Sequence, residues 1–306
     1  MNPLQDPEEI ATVPSVSPTP KISKNLKRFG VAVACLTILF IKPLYDLVRY
    51  ALGSSFFSYI PLIPLVSFYL MREQKGTPHD KPETSPRTAM FFFFASLATF
   101  AIYWFKLKAA EGNYLTATIL AFVLLIWGAY LLLLGKSLFT NAAFPIVFLL
   151  FMVPFPTFLT NAIEIFFQHS SAAAAAALLQ LSNASYFRED LIIRLPGITL
   201  EVAPECSGIR STLVLLITSL LAGHLFLQSP WKKVILALFV IPLAIVRNGF
   251  RIFVIAQLCI HGGPDMVDSF IHRRGGPIFF ALSLIPFFGL LILLRRKRFF
   301  RSTAVK

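Results

Sequence analysis

EVAPECSGIRSTLVLLITSLLAGHLF, residues 201–226, carries the chain from a polar approach segment into a hydrophobic helix within a few positions. The preceding GITLEV, residues 197–202, alternates apolar and polar side chains as a short strand does. Pro204 interrupts regular structure, and the run from 209 to 226 reaches the length of a membrane span. Cys206 therefore stands at or near a helix N-terminus. Free backbone N–H groups and the positive end of the helix dipole favour a thiolate over a thiol there.

Composition extends that reading to the whole chain. With 306 residues, 56% hydrophobic and 14% charged, and a mean hydropathy of +0.72, the chain is excluded from the ordinary soluble domains. The expected fold class is all-α, a polytopic integral membrane protein of about eight transmembrane helices with both termini cytoplasmic. A net charge of +13 would suggest nucleic acid in a soluble protein. Here the basic residues lie in short clusters between apolar runs, so they report topology and no nucleic-acid partner is inferred. Cys35, Cys206 and Cys259 imply no disulfide framework. No Cys and His pair has metal-ligand spacing and no Gly-rich phosphate motif occurs, so neither a metal nor a cofactor is expected.

Working outward, residues 1–28 read as a disordered, Pro-rich cytoplasmic tail, 29–294 as a multi-span membrane domain, and 295–306 as a basic cytoplasmic tail. Spans are expected near 30–50, 55–70, 89–107, 115–134, in the proline-bearing run AAFPIVFLLFMVPFP, and near 208–227, 234–258 and 277–294. The Ala-rich stretch 157–182 carries Asn161, Glu164, Gln168 and His169, and reads as an interfacial or re-entrant helix within an outer-face loop, 157–205. A spanning helix there would put Lys232, Lys233 and the terminal RRKRFFR outside, against the positive-inside rule. The protein is expected in the inner (cytoplasmic) membrane, with Cys206 on the outer face.

Three reactive residue types converge on that face. The seventh span contains RNGFR, placing Arg247, Asn248 and Arg251 in an otherwise apolar helix, where an arginine costs at least a few kcal/mol. Arg247 and Arg251 are one turn apart and share a face. His272 precedes the eighth span and His261 follows the seventh, so either imidazole can serve a thiol at the boundary. A cysteine, a histidine and an arginine form a coherent acyl-transfer set of nucleophile, proton carrier and oxyanion stabiliser. Arg210 lies four residues after Cys206 on the same helical face, where it can tune the thiol or bind lipid. The bland alternative is that the arginines snorkel to lipid phosphates and the cysteine is a boundary residue.

At ECSGIRST, NGFRI and HRRGGPIFF, in that order over about residues 55–294, the sequence resembles the exosortase and archaeosortase family of membrane cysteine transpeptidases. The resemblance implies a nucleophile at Cys206 within the CSG motif that includes Ser207 and Gly208. It further implies an arginine at Arg251 in N-G-x-R, and a histidine at His272 with Gly276 in H-x-x-x-G. Arg273, Arg274 and Pro277 depart from the usual pattern and bear on substrate preference. The implied activity is cleavage of a C-terminal sorting tail on exported proteins, built of a short Pro-containing motif, a transmembrane helix and a basic cluster. The acyl-enzyme would be resolved by water or by an acceptor, an amine or a membrane lipid. A different class of function, a transporter or lipid-head-group handler binding an anion at Arg247 and Arg251, would leave Cys206 incidental.

Overall fold

In a computed structural model, the structure describes residues 20–54, 56–73, 84–107, 111–203, 207–263 and 275–296. Cys206 and His272 lie outside the described residues. Six helices are long and apolar enough to cross a membrane, or seven if the bent pair formed by α1 (Pro20–Leu39) and α2 (Ile41–Gly53) counts as one span. The protein is a multi-pass helical membrane protein. By contact it divides into two compact units: Met1–Asp46, Leu62–Ala109 and Tyr114–Val153, and Leu47–Pro61, Ala110–Asn113 and Pro154–Lys306.

The first unit contains α3 (Leu62–Glu73), α4 (Pro86–Ile102, continued by a π-turn at Tyr103–Leu107), α5 (Glu111–Leu133), α6 (Lys136–Asn141) and α7 (Ala143–Phe148). Trp127 and Tyr130 of α5 pack on Ala142 and Ile146, and Trp127 Nε1 donates to the Ile146 carbonyl at 3.0 Å. Two of the expected spans fall short here. The run near 55–70 is broken by a turn at 58–61, so α3 has 12 residues, about 18 Å. The proline-bearing fifth run is interrupted as well. Ala143–Met152 forms only a short apolar helix ending in a 3-10 turn, and the Pro145 carbonyl accepts from Ser67 Oγ at 2.6 Å.

The second unit holds α8 (Thr157–Leu181), the strands β1 (Phe187–Glu189), β2 (Ile192–Leu195) and β3 (Ile198–Glu201), then α9 (Ile209–Phe226), α10 (Pro230–Gly262) and α11 (Gly276–Arg296). Two features differ from the sequence expectation. With 25 residues and a mean hydropathy of 1.3, α8 meets the length and composition of a span. Of its polar residues Gln168 is buried and donates to the Val202 carbonyl at 3.0 Å, while Ala172, Ala175 and Leu179 meet Ile252 and Ala256 of α10. The stretch 187–201, expected to be loop with a short strand at its end, is a three-stranded antiparallel sheet ordered β1-β2-β3. Its β1–β2 turn, with Asp190 at φ +57°, ties back to α8 through His169 Nδ1 and Asp190 Oδ1 at 3.1 Å.

Helix α10 is the axis of this unit and packs against α8, α9 and α11. Leu236, Val240 and Leu243 meet Leu215 and Ala222 of α9 and Phe287 and Leu291 of α11. Towards α8 the approach is closer still: a Cβ on Gly249 would fall 2.5 Å from the Ala174 Cβ and 3.1 Å from the Ala175 nitrogen. Small residues allow such backbone contact where lipid supplies no hydrophobic drive for association. Gly249→Ala is therefore expected to destabilise the protein by about 1–3 kcal/mol through overpacking, lowering the thermal unfolding midpoint in detergent. Gly289→Ala, with nothing within 4 Å, should leave the midpoint unchanged or higher.

Candidate active site

The polar approach and α9 join at Gly208. This residue has φ +73° and ψ 9°, a left-handed conformation that glycine adopts without strain. The turn reverses the backbone so that the Gly208 carbonyl points into the first turn of α9. There it accepts from the Thr212 nitrogen at 3.1 Å, Thr212 Oγ1 at 2.8 Å and Ser211 Oγ at 2.9 Å. From α10, Arg247 Nη2 reaches the same carbonyl at 3.2 Å and Thr212 Oγ1 at 3.4 Å. Asn248 closes over the turn: a Cβ on Gly208 would lie 3.0 Å from its Cγ and Oδ1.

A cleft of about 550 Å³ opens beside this turn. Its lining includes Ser207, Gly208, Arg210 and Ser211 from the turn and α9, Arg251 from α10, and Gly276, Pro277 and Phe280 from α11. Of the residues singled out in the sequence, Ser207, Gly208, Arg210, Arg251 and Gly276 thus share one cavity. Arg247 and Asn248 stand behind the turn, Arg247 only 7% exposed. His261 is not part of the cleft wall. It is ten residues past Arg251, about 15 Å farther along α10, and its Nδ1 donates to the Gln257 carbonyl at 2.9 Å. Cys206 is covalently joined to Ser207 on the wall, and His272 precedes Gly276 by four positions.

Sequence reasoning missed Phe56 and Ser58, which also line the cleft. They belong to the segment taken for a second span. Phe57 between them is buried, stacking on Tyr50 at 5.7 Å and meeting Phe155 edge-on at 6.2 Å. Gly53, Pro61 and Pro64 in that stretch were the available signal for a break.

The cleft and the basic clusters occupy opposite ends of the helices. Lys232 Nζ donates to the Leu294 carbonyl, so the start of α10 and the end of α11, with Arg295, lie together. Arg251 is 19 residues beyond Lys232, about 28 Å along the axis. A core of helices long and apolar enough to cross a membrane, with Arg210, Arg247 and Arg251 gathered about a left-handed glycine turn, defines a polytopic membrane protein with a polar cleft among its helices. The family model for transmembrane exosortase (Exosortase_EpsH) matches residues 51–289, and the chain belongs to that family. No curated protein and no solved structure gives a match.

Because the cleft is open, its wall is expected to react with aqueous reagents. In a background lacking the native cysteines, Ser211→Cys should be alkylated by a membrane-impermeant maleimide at least tenfold faster than Ser219→Cys. Ser219, on the same helix, is fully buried. Equal rates would mean that the cavity is closed to water.

Proposed function

We propose that the protein is a membrane cysteine protease or transpeptidase that removes the C-terminal sorting tail of exported proteins at the outer face of the inner membrane. Membership in the exosortase family supports the processing of sorting signals. The observation that carries the rest is the shared cleft of Ser207, Gly208, Arg251 and Gly276, at the end of α10 remote from Lys232 and Arg295. Lysine and arginine favour the cytoplasmic side, which supports a cleft on the other face.

In this reading the Cys206 thiolate attacks the scissile carbonyl, forming a C–S bond and an oxyanion that Arg251 stabilises. Collapse of the tetrahedral species breaks the C–N bond, and His272 gives its proton to the departing amine. Water or an amine acceptor then attacks the thioester, His272 takes up its proton, and the thiolate leaves. The tail's own transmembrane helix, lodged beside the cleft, holds the peptide at that depth, so attack is effectively intramolecular. Arg210, on the same wall, adds positive potential for an acidic or carbonyl-rich segment of substrate.

The test is processing of a tail-bearing protein in cells, followed by mobility on a gel. Cys206→Ala should abolish processing at unchanged membrane level. Arg251→Met should lower the rate about 100- to 1000-fold, the loss typical of an oxyanion donor. Normal processing by Cys206→Ala would remove the thiol from the chemistry and favour an anion-handling role for the arginines.

A further inference from the structure

Arg247 has no place in the chemistry above, yet it is buried on an otherwise apolar stretch of α10. Among the described residues no carboxylate reaches it, and its Nη1 meets no acceptor. Its Nη2 bonds go only to the Gly208 carbonyl and Thr212 Oγ1. A buried guanidinium satisfied at one end is a poor stabiliser of a fold, and an apolar side chain of similar volume often does as well or better. What Arg247 does uniquely is clamp one atom. The Gly208 carbonyl already accepts three bonds from the first turn of α9, and Arg247 adds the only tie to it from another helix among the described residues.

We propose that Arg247 is a positioning residue. It locks the left-handed turn at Gly208 against α10, with Asn248 as the backstop, and so fixes the direction in which the backbone enters α9 through Ser207, on the wall of the cleft that Arg251 also lines. Arg251 faces the cleft and Arg247 does not, so neighbouring arginines of one helix have separate tasks. The inference rests on the proposed role of Cys206, but its test does not depend on that role alone.

The experiment uses full-length enzyme in detergent with Cys206 as its sole cysteine. Three readouts are taken: thermal midpoint, iodoacetamide alkylation rate of Cys206, and kcat and KM for a tail peptide. Arg247→Met should keep the midpoint within a few degrees while alkylation slows severalfold and kcat falls at least tenfold with KM within twofold. Arg247→Lys should restore part of both. Thr212→Val, which removes one acceptor of the clamp, should shift them in the same direction by less. Arg247→Met combined with Gly208→Ala should be no worse than the poorer single variant, because both disturb one turn. If Arg247→Met unfolds the protein while Arg247→Lys and Thr212→Val behave as wild type, the residue is structural and the proposal is overturned. Wild-type alkylation and kcat in Arg247→Met would also overturn it. Should Cys206 prove dispensable for processing, the alkylation readout still decides whether Arg247 sets the turn.

Discussion

A guanidinium held inside an apolar helix is the constraint on which the second unit depends. Within a membrane span an arginine is costly, up to about 2.5–3.5 kcal/mol at the centre by insertion scales, and Arg247 offsets its share of that cost with the Gly208 carbonyl and Thr212 hydroxyl. For that bond to exist, the carbonyl must face α10 even as it accepts from its own helix. The left-handed φ of +73° at Gly208 makes this possible, and a side chain there would be both strained and tight against Asn248. The glycine, the arginine and the asparagine thus meet at one turn.

The same five residues, RNGFR, serve three neighbours because each helical step turns the side chain by about 100°. Arg247 and Asn248 address the start of α9, Gly249 lets α8 approach to backbone distance, and Arg251 opens into the cleft beside α11. A glycine in mid-helix weakens it by about 1 kcal/mol relative to alanine. Here close contact with Ala174 and Ala175 accounts for its presence. The run of small residues at 170–177 in α8 is the complement of Gly249.

Residues that are chemically conspicuous where they occur, such as arginines in an apolar helix, can be singled out from the sequence, and of these Ser207, Gly208, Arg210, Arg251 and Gly276 line one cleft, while Cys206 and His272 lie outside the described residues. Phe56 and Ser58 were not legible, since a phenylalanine among 32 others carries no signal and their segment has the hydropathy of a span. Helix α8 reads as interfacial from sequence because a span there would put Lys232, Lys233 and the basic C-terminal cluster outside; the burial of its Gln168 against the Val202 carbonyl is a tertiary fact. The sheet was half visible. GITLEV alternates, whereas β1 (FRE) is too short and too charged to announce itself.

The lengths of the helices set the distance between the cleft and the basic clusters. With 18 residues, α9 spans about 27 Å from Ile209 to Phe226, close to one hydrocarbon thickness. Phe226 ends near Lys232 and Arg295, so Gly208 stands at the opposite end of the helix. The longer α10 continues past Arg251 for eleven more residues, about 16 Å. On that extension Ile252 and Ala256 pack against Ile193, Leu195 and Val202 of the sheet and the segment after it. The exposed ion pair of Arg194 with Glu189, 2.9 Å apart, requires water around the sheet, and the sheet therefore belongs beyond the hydrocarbon. The cleft wall itself is mixed: Val214 and Phe280 are apolar, while Arg210, Ser211 and Arg251 beside them are polar or charged.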